Sequence, residues 1–126
     1  VRLLLDTHAL IWALAEPARL SPEARDALGE PAHAVFVSAA SAWEIAIKAS
    51  LGRLDFPLAA WERALAEAGF AELPVRGPHA IAAGSLPRHH ADPFDRMLIA
   101  QARHEGLTLV TRDAAFAAYG VALLAA

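Results

Sequence analysis

The stretch DPFDRMLIAQARHEGLTLVTRD, Asp92 to Asp113, holds a helix, a stop and a buried strand in immediate succession. Asp92 suits a helix cap, Pro93 suits the first helical position, and Asp95 falls inside the amino-terminal turn. Met97, Leu98, Ile99 and Ala102 supply an apolar side, and Gly106 ends the helix. Leu107, Leu109 and Val110 then read as a strand, beyond which Thr111, Arg112 and Asp113 emerge. In a parallel α/β fold, helix amino termini and strand carboxyl ends meet along the same edge, where ligands bind. Asp95 and Asp113 can therefore share one cleft.

The rest of the chain supplies matching parts. Val1 to Leu5 is an apolar run ending at Asp6, too uniform for a half-exposed strand and suited to a central strand covered on both faces. Asp6 or Thr7 can cap the helix carried by Ala9 to Ala15, which stops before Pro17. Ser21-Pro22-Glu23 opens another helix that ends near Gly29. Ala34 to Val37 is a second buried strand ending in Ser38. A helix from about Ala40 to Ser50 follows, with Trp43, Ile45, Ile47 and Leu51 in apolar contacts. Glu44 lies in its early turns and Lys48 one turn further on. An amphipathic helix is expected over Leu58 to Ala68, and Phe70 to Val75 admits a short edge strand despite Pro74. Pro78 to Ala83 reads as a short helix, Ala114 to Tyr119 as helical, and Val121 to Leu124 as a last strand. This alternation predicts a three-layer α/β/α sandwich around a central, mainly parallel sheet, with residues 1–126 as a single domain.

Composition narrows the function. At 126 residues and 56% hydrophobic content the chain suits one compact domain. Charged residues or histidine interrupt every apolar run before it reaches membrane-spanning length. The opening VRLLLDTHALIWALAEPARL superficially matches a signal segment, but Asp6 and His8 break it and no processing site follows, so it is expected to be folded protein. With no cysteine, disulfides, zinc–cysteine sites and thiol catalysis are excluded, and a cytoplasmic location is expected. A net charge of −3 argues against a passive basic nucleic-acid binder. It leaves room for a nuclease, because divalent cations reverse the local charge of a carboxylate site.

Asp6, Glu44, Asp95 and Asp113 come from separated stretches that converge on one sheet edge. Clustered carboxylates repel and need cations or protons, and an oxygen-rich site suits Mg2+ or Mn2+. Such ions orient a phosphodiester, acidify the attacking water and stabilise the leaving oxygen. Each acid also has a local reading. Asp6 and Asp113 can cap helices, and Asp95 can favour the helix dipole. Glu44 can complete a capping box with Ser41 in S-A-W-E, or pair with Lys48. Asp92 is read foremost as a cap, with an added or outer role at the ions as the alternative. Thr7 can hydrogen-bond a ligating carboxylate and Thr111 can orient Asp113 or a water, with ordinary capping as their alternative. Arg112 is a candidate phosphate contact, with Lys48 and Arg96 weaker ones.

Other constellations are less informative. His89-His90 is read as loop rather than zinc site, since adjacent histidines lack a supporting HExxH or cysteine pattern. No GxxxxGK[ST], GxGxxG or GxSxG sequence is present, which weakens nucleotide-binding and serine-hydrolase readings. Trp12, Trp43 and Trp61 sit in helical apolar patterns and are expected to pack in a core or an interface rather than stack on bases.

Taken together, LLLDTHALIWAL (Leu3–Leu14), VFVSAASAWEIAIKASLGRL (Val35–Leu54) and HHADPFDRMLIAQA with LTLVTRDAAFAAYG (His89–Gly120) closely resemble PIN-domain ribonucleases, in particular VapC-like toxins of type II toxin–antitoxin pairs. LPVRGPHAIAAGSLP extends the resemblance to nearly the whole chain. It implies a PIN-like sandwich in which Asp6, Glu44, Asp95 and Asp113 are the catalytic, metal-binding acids, with Asp92 an additional acidic neighbour. Ala42 replaces a residue that is often bulkier in similar chains. The resemblance further implies Mg2+- or Mn2+-dependent endonucleolytic cleavage of RNA, inhibition of translation, a cognate antitoxin, and a homodimer or larger toxin–antitoxin assembly, with no membrane partner. The competing readings are a metal-dependent phosphatase and a non-catalytic RNA- or protein-binding regulatory domain. The first lacks an early DxDx[TV] arrangement.

Overall fold

The computed structural model describes residues 1–126. Five strands form one sheet: β1 (Arg2–Leu5), β2 (Ala34–Ser38), β3 (Ala71–Leu73), β4 (Thr108–Thr111) and β5 (Leu123–Ala125). Their order is β3-β2-β1-β4-β5, and all neighbouring pairs run parallel. The sheet expected to be mainly parallel is thus wholly so. Register places Leu5 beside Val37 on one side and Val110 on the other, so Asp6 leaves β1 in the middle of the sheet.

The uniform apolarity of β1 has the cause expected from its sequence. Leu3 and Leu5 enter one buried cluster and Leu4 enters another. The first cluster is closed by α1 (Thr7–Ala15), α2 (Pro22–Gly29) and α4 (Trp61–Ala68), through Ala9, Leu10, Ala24 and Leu65. The second is closed by α5 (Gly77–Ser85) and α6 (Pro93–Glu105), through Ala83, Leu98, Ile99 and Ala102. Burying a leucine of β1 on either face contributes about 1.5–3 kcal/mol, which makes a polar residue within this strand costly. The remaining helix, α3 (Ala39–Ser50), sends Ile45 into the first cluster and lies across from α6.

Helix ends position the polar side chains. Asp92 caps α6, accepting from the amides of Phe94 and Asp95 at 2.8 and 3.2 Å, and Pro93 takes the first helical position. Gly106 stops the helix at φ +67°, a left-handed conformation that side chains disfavour, and the chain turns directly into β4. Several expected boundaries move. The Ala114–Tyr119 segment is a 3₁₀ helix, and a 3₁₀ turn at Leu58–Ala60 precedes α4. The expected Pro78–Ala83 helix extends to Gly77–Ser85, where His79 Nδ1 accepts the Arg76 amide at 3.0 Å and secures its start. The last strand begins at Leu123 rather than Val121.

Candidate active site

The order of the sheet reverses at β1, since β2 lies on one side of it and β4 on the other. Ligands of open parallel sheets bind at such a switch point, beyond the strand carboxyl ends. Asp6 follows β1 there. Its Oδ1 accepts the Ala9 amide at 2.8 Å, and its Oδ2 accepts the Thr111 hydroxyl of β4 at 2.5 Å. The same Thr111 oxygen accepts the Asp113 amide at 3.1 Å, so one side chain joins the ends of two adjacent strands.

Glu44 arrives from α3 and is buried. Thr7 donates to its Oε1 at 2.6 Å, and Lys48 Nζ meets its Oε2 at 2.8 Å. Asp95 sits in the first turn of α6, and Asp113 caps the 3₁₀ helix after β4 by accepting the Ala115 amide at 2.9 Å. His90 Nε2 lies 3.2 Å from Oδ2 of both Asp95 and Asp113. One potential ligand atom from each of these three residues lies within 4.8 Å of the others.

The acids feel one another. Burial pushes the Asp95 carboxyl up to about 7, with Asp92 adding repulsion, His90 opposing it, and Glu44 and Asp6 adding a smaller push. Burial also raises Asp6, against the Thr111 hydroxyl, the Ala9 amide and His8, with Glu44 reinforcing the rise. Two carboxyls raised by burial and by neighbouring acids mark a site short of positive charge. Their donor set, carboxylate oxygens from separate segments, fits a hard divalent cation such as Mg2+ or Mn2+.

This architecture has close counterparts. The PIN-domain family model matches residues 3–122. The chain belongs to the PIN-domain family. It is 37% identical over 113 residues to Ribonuclease VapC22 of Mycobacterium tuberculosis, covering 87% of this chain and 85% of that relative. Two solved structures share the fold at lower identity. VapBC2 from Rickettsia felis, bound to a DNA fragment from its promoter, aligns with TM-score 0.74 at 14% identity, over 98% of both chains. DNA-bound VapBC from Salmonella typhimurium aligns with TM-score 0.68 at 19% identity, over 98% of this chain and 97% of that one.

Within this PIN domain, Asp95 and Asp113 are drawn together through His90, while Asp6 and Glu44 lie close enough to perturb Asp95. Thr7 does donate to an acid, and that acid is Glu44. Thr111 receives the Asp113 amide as expected of an orienting group, but its hydroxyl proton goes to Asp6. Asp92 is occupied as the α6 cap.

Three expectations need correction. Ser41 and Glu44 do not form a capping box, because α3 starts at Ala39 with Ser38 as its cap, and Ser41 lies inside the helix. Arg96 is not a phosphate contact: its guanidinium donates to the carbonyls of Ala83, Leu86, Pro87 and His90 at 2.9–3.2 Å and pins the α5–α6 connection. Arg112 is drawn away from a free phosphate-binding position. It donates to the carbonyls of Ala126 and Arg19, and its guanidinium lies 4.3 Å from the Trp12 ring centre. Lys48 keeps partial exposure beside Glu44.

Two further positions, Trp43 and His90, make contacts that the sequence does not announce. Trp43, expected to pack in a core or an interface, is not part of the core: it is 65% exposed and meets Phe94 edge-on, with ring centres 5.3 Å apart. His90 lies in a loop, as expected, and there its Nε2 comes within 3.2 Å of both Asp95 and Asp113. Its only sequence signal was its position two residues before the α6 cap. A second cluster, His79, His104 and Glu105, lies behind α5 and α6. There His79 Nδ1 accepts the Arg76 amide, so the ring proton resides on Nε2, the atom that faces Glu105 at 3.8 Å. That nitrogen carries the proton and is not available as a ligand in this arrangement.

Proposed function

We propose that this PIN domain is a Mg2+- or Mn2+-dependent endoribonuclease and the toxin of a toxin–antitoxin pair, acting in the cytoplasm to inhibit translation. The reading is supported foremost by Asp95, held up to about 7 with Glu44 and Asp6 close enough to act on it and with Asp113 within 4.8 Å of it, ligand atom to ligand atom. The identity to Ribonuclease VapC22 supports RNA as substrate. The VapBC assemblies that share the fold support a cognate antitoxin as partner, and the family resemblance supports a homodimer.

In this mechanism Asp6, Asp95 and Asp113 would hold the cation, and Glu44 would ligate it or position the attacking water. The cation, when bound, neutralises charge on the phosphodiester and its leaving oxygen and acidifies water. The chain's own contribution is orientation. Thr111 fixes Asp6 relative to Asp113, and Thr7 and Lys48 hold both oxygens of Glu44. Lys48 is also the cationic side chain beside the acids that can meet a phosphate.

Purified protein, assayed on diverse RNAs with Mn2+, Mg2+ or EDTA, tests this reading. Cleavage that needs the ion and is lost in Asp6→Asn supports it. Hydrolysis of a phosphomonoester without RNA cleavage would favour a phosphatase. RNA binding without any cleavage would favour a regulatory domain.

A further inference from the structure

His90 stands outside the acid set assigned above, yet more of the scaffold converges on it than on any one of those acids. Its amide donates to the Tyr119 hydroxyl at 2.7 Å, and that hydroxyl donates to the Pro87 carbonyl at 2.9 Å. The carbonyl of His90 accepts from Arg96 at 3.2 Å. Its ring meets Phe116 edge-on, with centres 5.6 Å apart. The imidazole is therefore fixed in position by two residues of the second core cluster, Phe116 and Tyr119, and by the buried arginine.

The backbone also decides which ring nitrogen carries the proton. An amide N–H can only donate, and the Asp92 amide lies 3.2 Å from His90 Nδ1. Nδ1 accepts, and the ring proton sits on Nε2. That N–H donates to Oδ2 of Asp113 at 3.2 Å, and Oδ2 of Asp95 lies 3.2 Å from the same nitrogen. A protonated nitrogen donates to carboxylates; a metal-ligating one must have a free lone pair.

We infer that His90 is a positioning residue of the cation site, its Nε2–H spanning Asp95 and Asp113 and setting their separation before the ion arrives. The two acids sit on different elements, one in the first turn of α6 and one after β4, and once both are ionised their like charges favour spreading. Nε2–H donates to Oδ2 of Asp113, and Oδ2 of Asp95 closes on the same nitrogen as an electrostatic contact. Outer hydrogen bonds of this kind orient ligating groups, and their loss weakens metal binding about 10- to 100-fold.

This inference rests on the metal-centre reading, and one experiment separates the two. Mn2+ alone is titrated into the full-length chain, with the free ion followed by electron paramagnetic resonance at fixed pH. The proteins compared are wild type, Asp95→Asn, His90→Ala, His90→Asn and His90→Gln. Wild type is expected to bind Mn2+, and Asp95→Asn to lose most of that affinity. His90→Ala is expected to weaken binding about 10- to 100-fold. His90→Gln, whose amide nitrogen reaches the place of Nε2, should recover most of the loss. His90→Asn, whose amide reaches only the place of Nδ1, should not. A merely structural role would lower metal-free melting temperatures without following donor reach. Pulsed spectra of the wild-type complex should lack a directly bonded nitrogen.

Wild-type affinity in His90→Ala, tighter binding in that variant, or a coordinated imidazole in the wild-type spectrum overturns the positioning role while leaving the metal centre standing. If wild type binds no Mn2+, or Asp95→Asn binds as tightly as wild type, the metal centre falls and the role of His90 falls with it.

Discussion

Replacing Asp95 with asparagine should stabilise the metal-free protein above neutral pH and abolish its stabilisation by metal. The Asp95 carboxyl rises from 3.8 to about 7, chiefly through burial and then through Asp92. That displacement corresponds to about 4 kcal/mol against the ionised form. The side chain is 24% exposed. Residual hydration and the lost charge near the α6 amino terminus trim the expected gain to about 2 kcal/mol at pH 8. For a chain of this length the melting temperature should rise by about 8 °C.

The sign follows from proton uptake. Between pH 3.8 and about 7 the folded wild type holds a proton on Asp95 that the unfolded chain has released. Wild-type stability from this group is therefore full below 3.8 and falls as pH rises through about 7, whereas Asp95→Asn shows no such fall. The two proteins should converge near pH 4. Saturating Mn2+ should reverse their order at pH 8, because an ion at 100 times its dissociation constant adds about 2.7 kcal/mol to the form that binds it. Thermal unfolding across pH, with EDTA or Mn2+, reads all of this. A variant less stable than wild type in EDTA at pH 8, or one that gains as much from Mn2+, refutes the reasoning.

Thr111→Val removes the hydroxyl that donates to Asp6 and receives the Asp113 amide. It should lower metal-free stability by about 1.5–3 kcal/mol and reduce ion-dependent RNA cleavage, checked by urea unfolding and a cleavage assay. Arg96→Ala leaves several carbonyls of the α5–α6 connection unpaired and should cost about 3 kcal/mol. A neutral effect on the metal-free urea midpoint would contradict its structural role. Trp43→Ser should change stability by less than about 1 kcal/mol, since the indole is mostly exposed, and the same unfolding midpoint checks it.

The sheet and its helices were legible because their signals are local. A wholly apolar β1, a proline after each of two helix caps and a glycine after α6 each specify conformation within a few residues. The acids were legible for a related reason: Asp6 and Asp113 close strands, and Asp95 opens a helix, so a parallel sheet sends them to one edge. What stayed hidden depends on partners distant in sequence. The spacing S-A-W-E fits a cap at Ser41, but nothing local reveals that Ser38 starts the helix and that Glu44 meets Thr7 across the fold. Arg96 resembles a free cation until the unpaired carbonyls around Ala83 and Leu86 are beside it. His90 acquires its role only when α6 and β4 come together. Helical periodicity places Trp43 among apolar residues, yet that side of α3 opens towards Phe94 and solvent rather than the core.

The central claim, that separated acids share a divalent cation at the switch point, is tested most directly by anomalous scattering from Mn2+-loaded crystals of the wild-type protein. The account predicts a Mn2+ peak within bonding distance of carboxylate oxygens of Asp6, Asp95 and Asp113. Full Mn2+ occupancy elsewhere on the molecule, with these three carboxylates unligated, would contradict it.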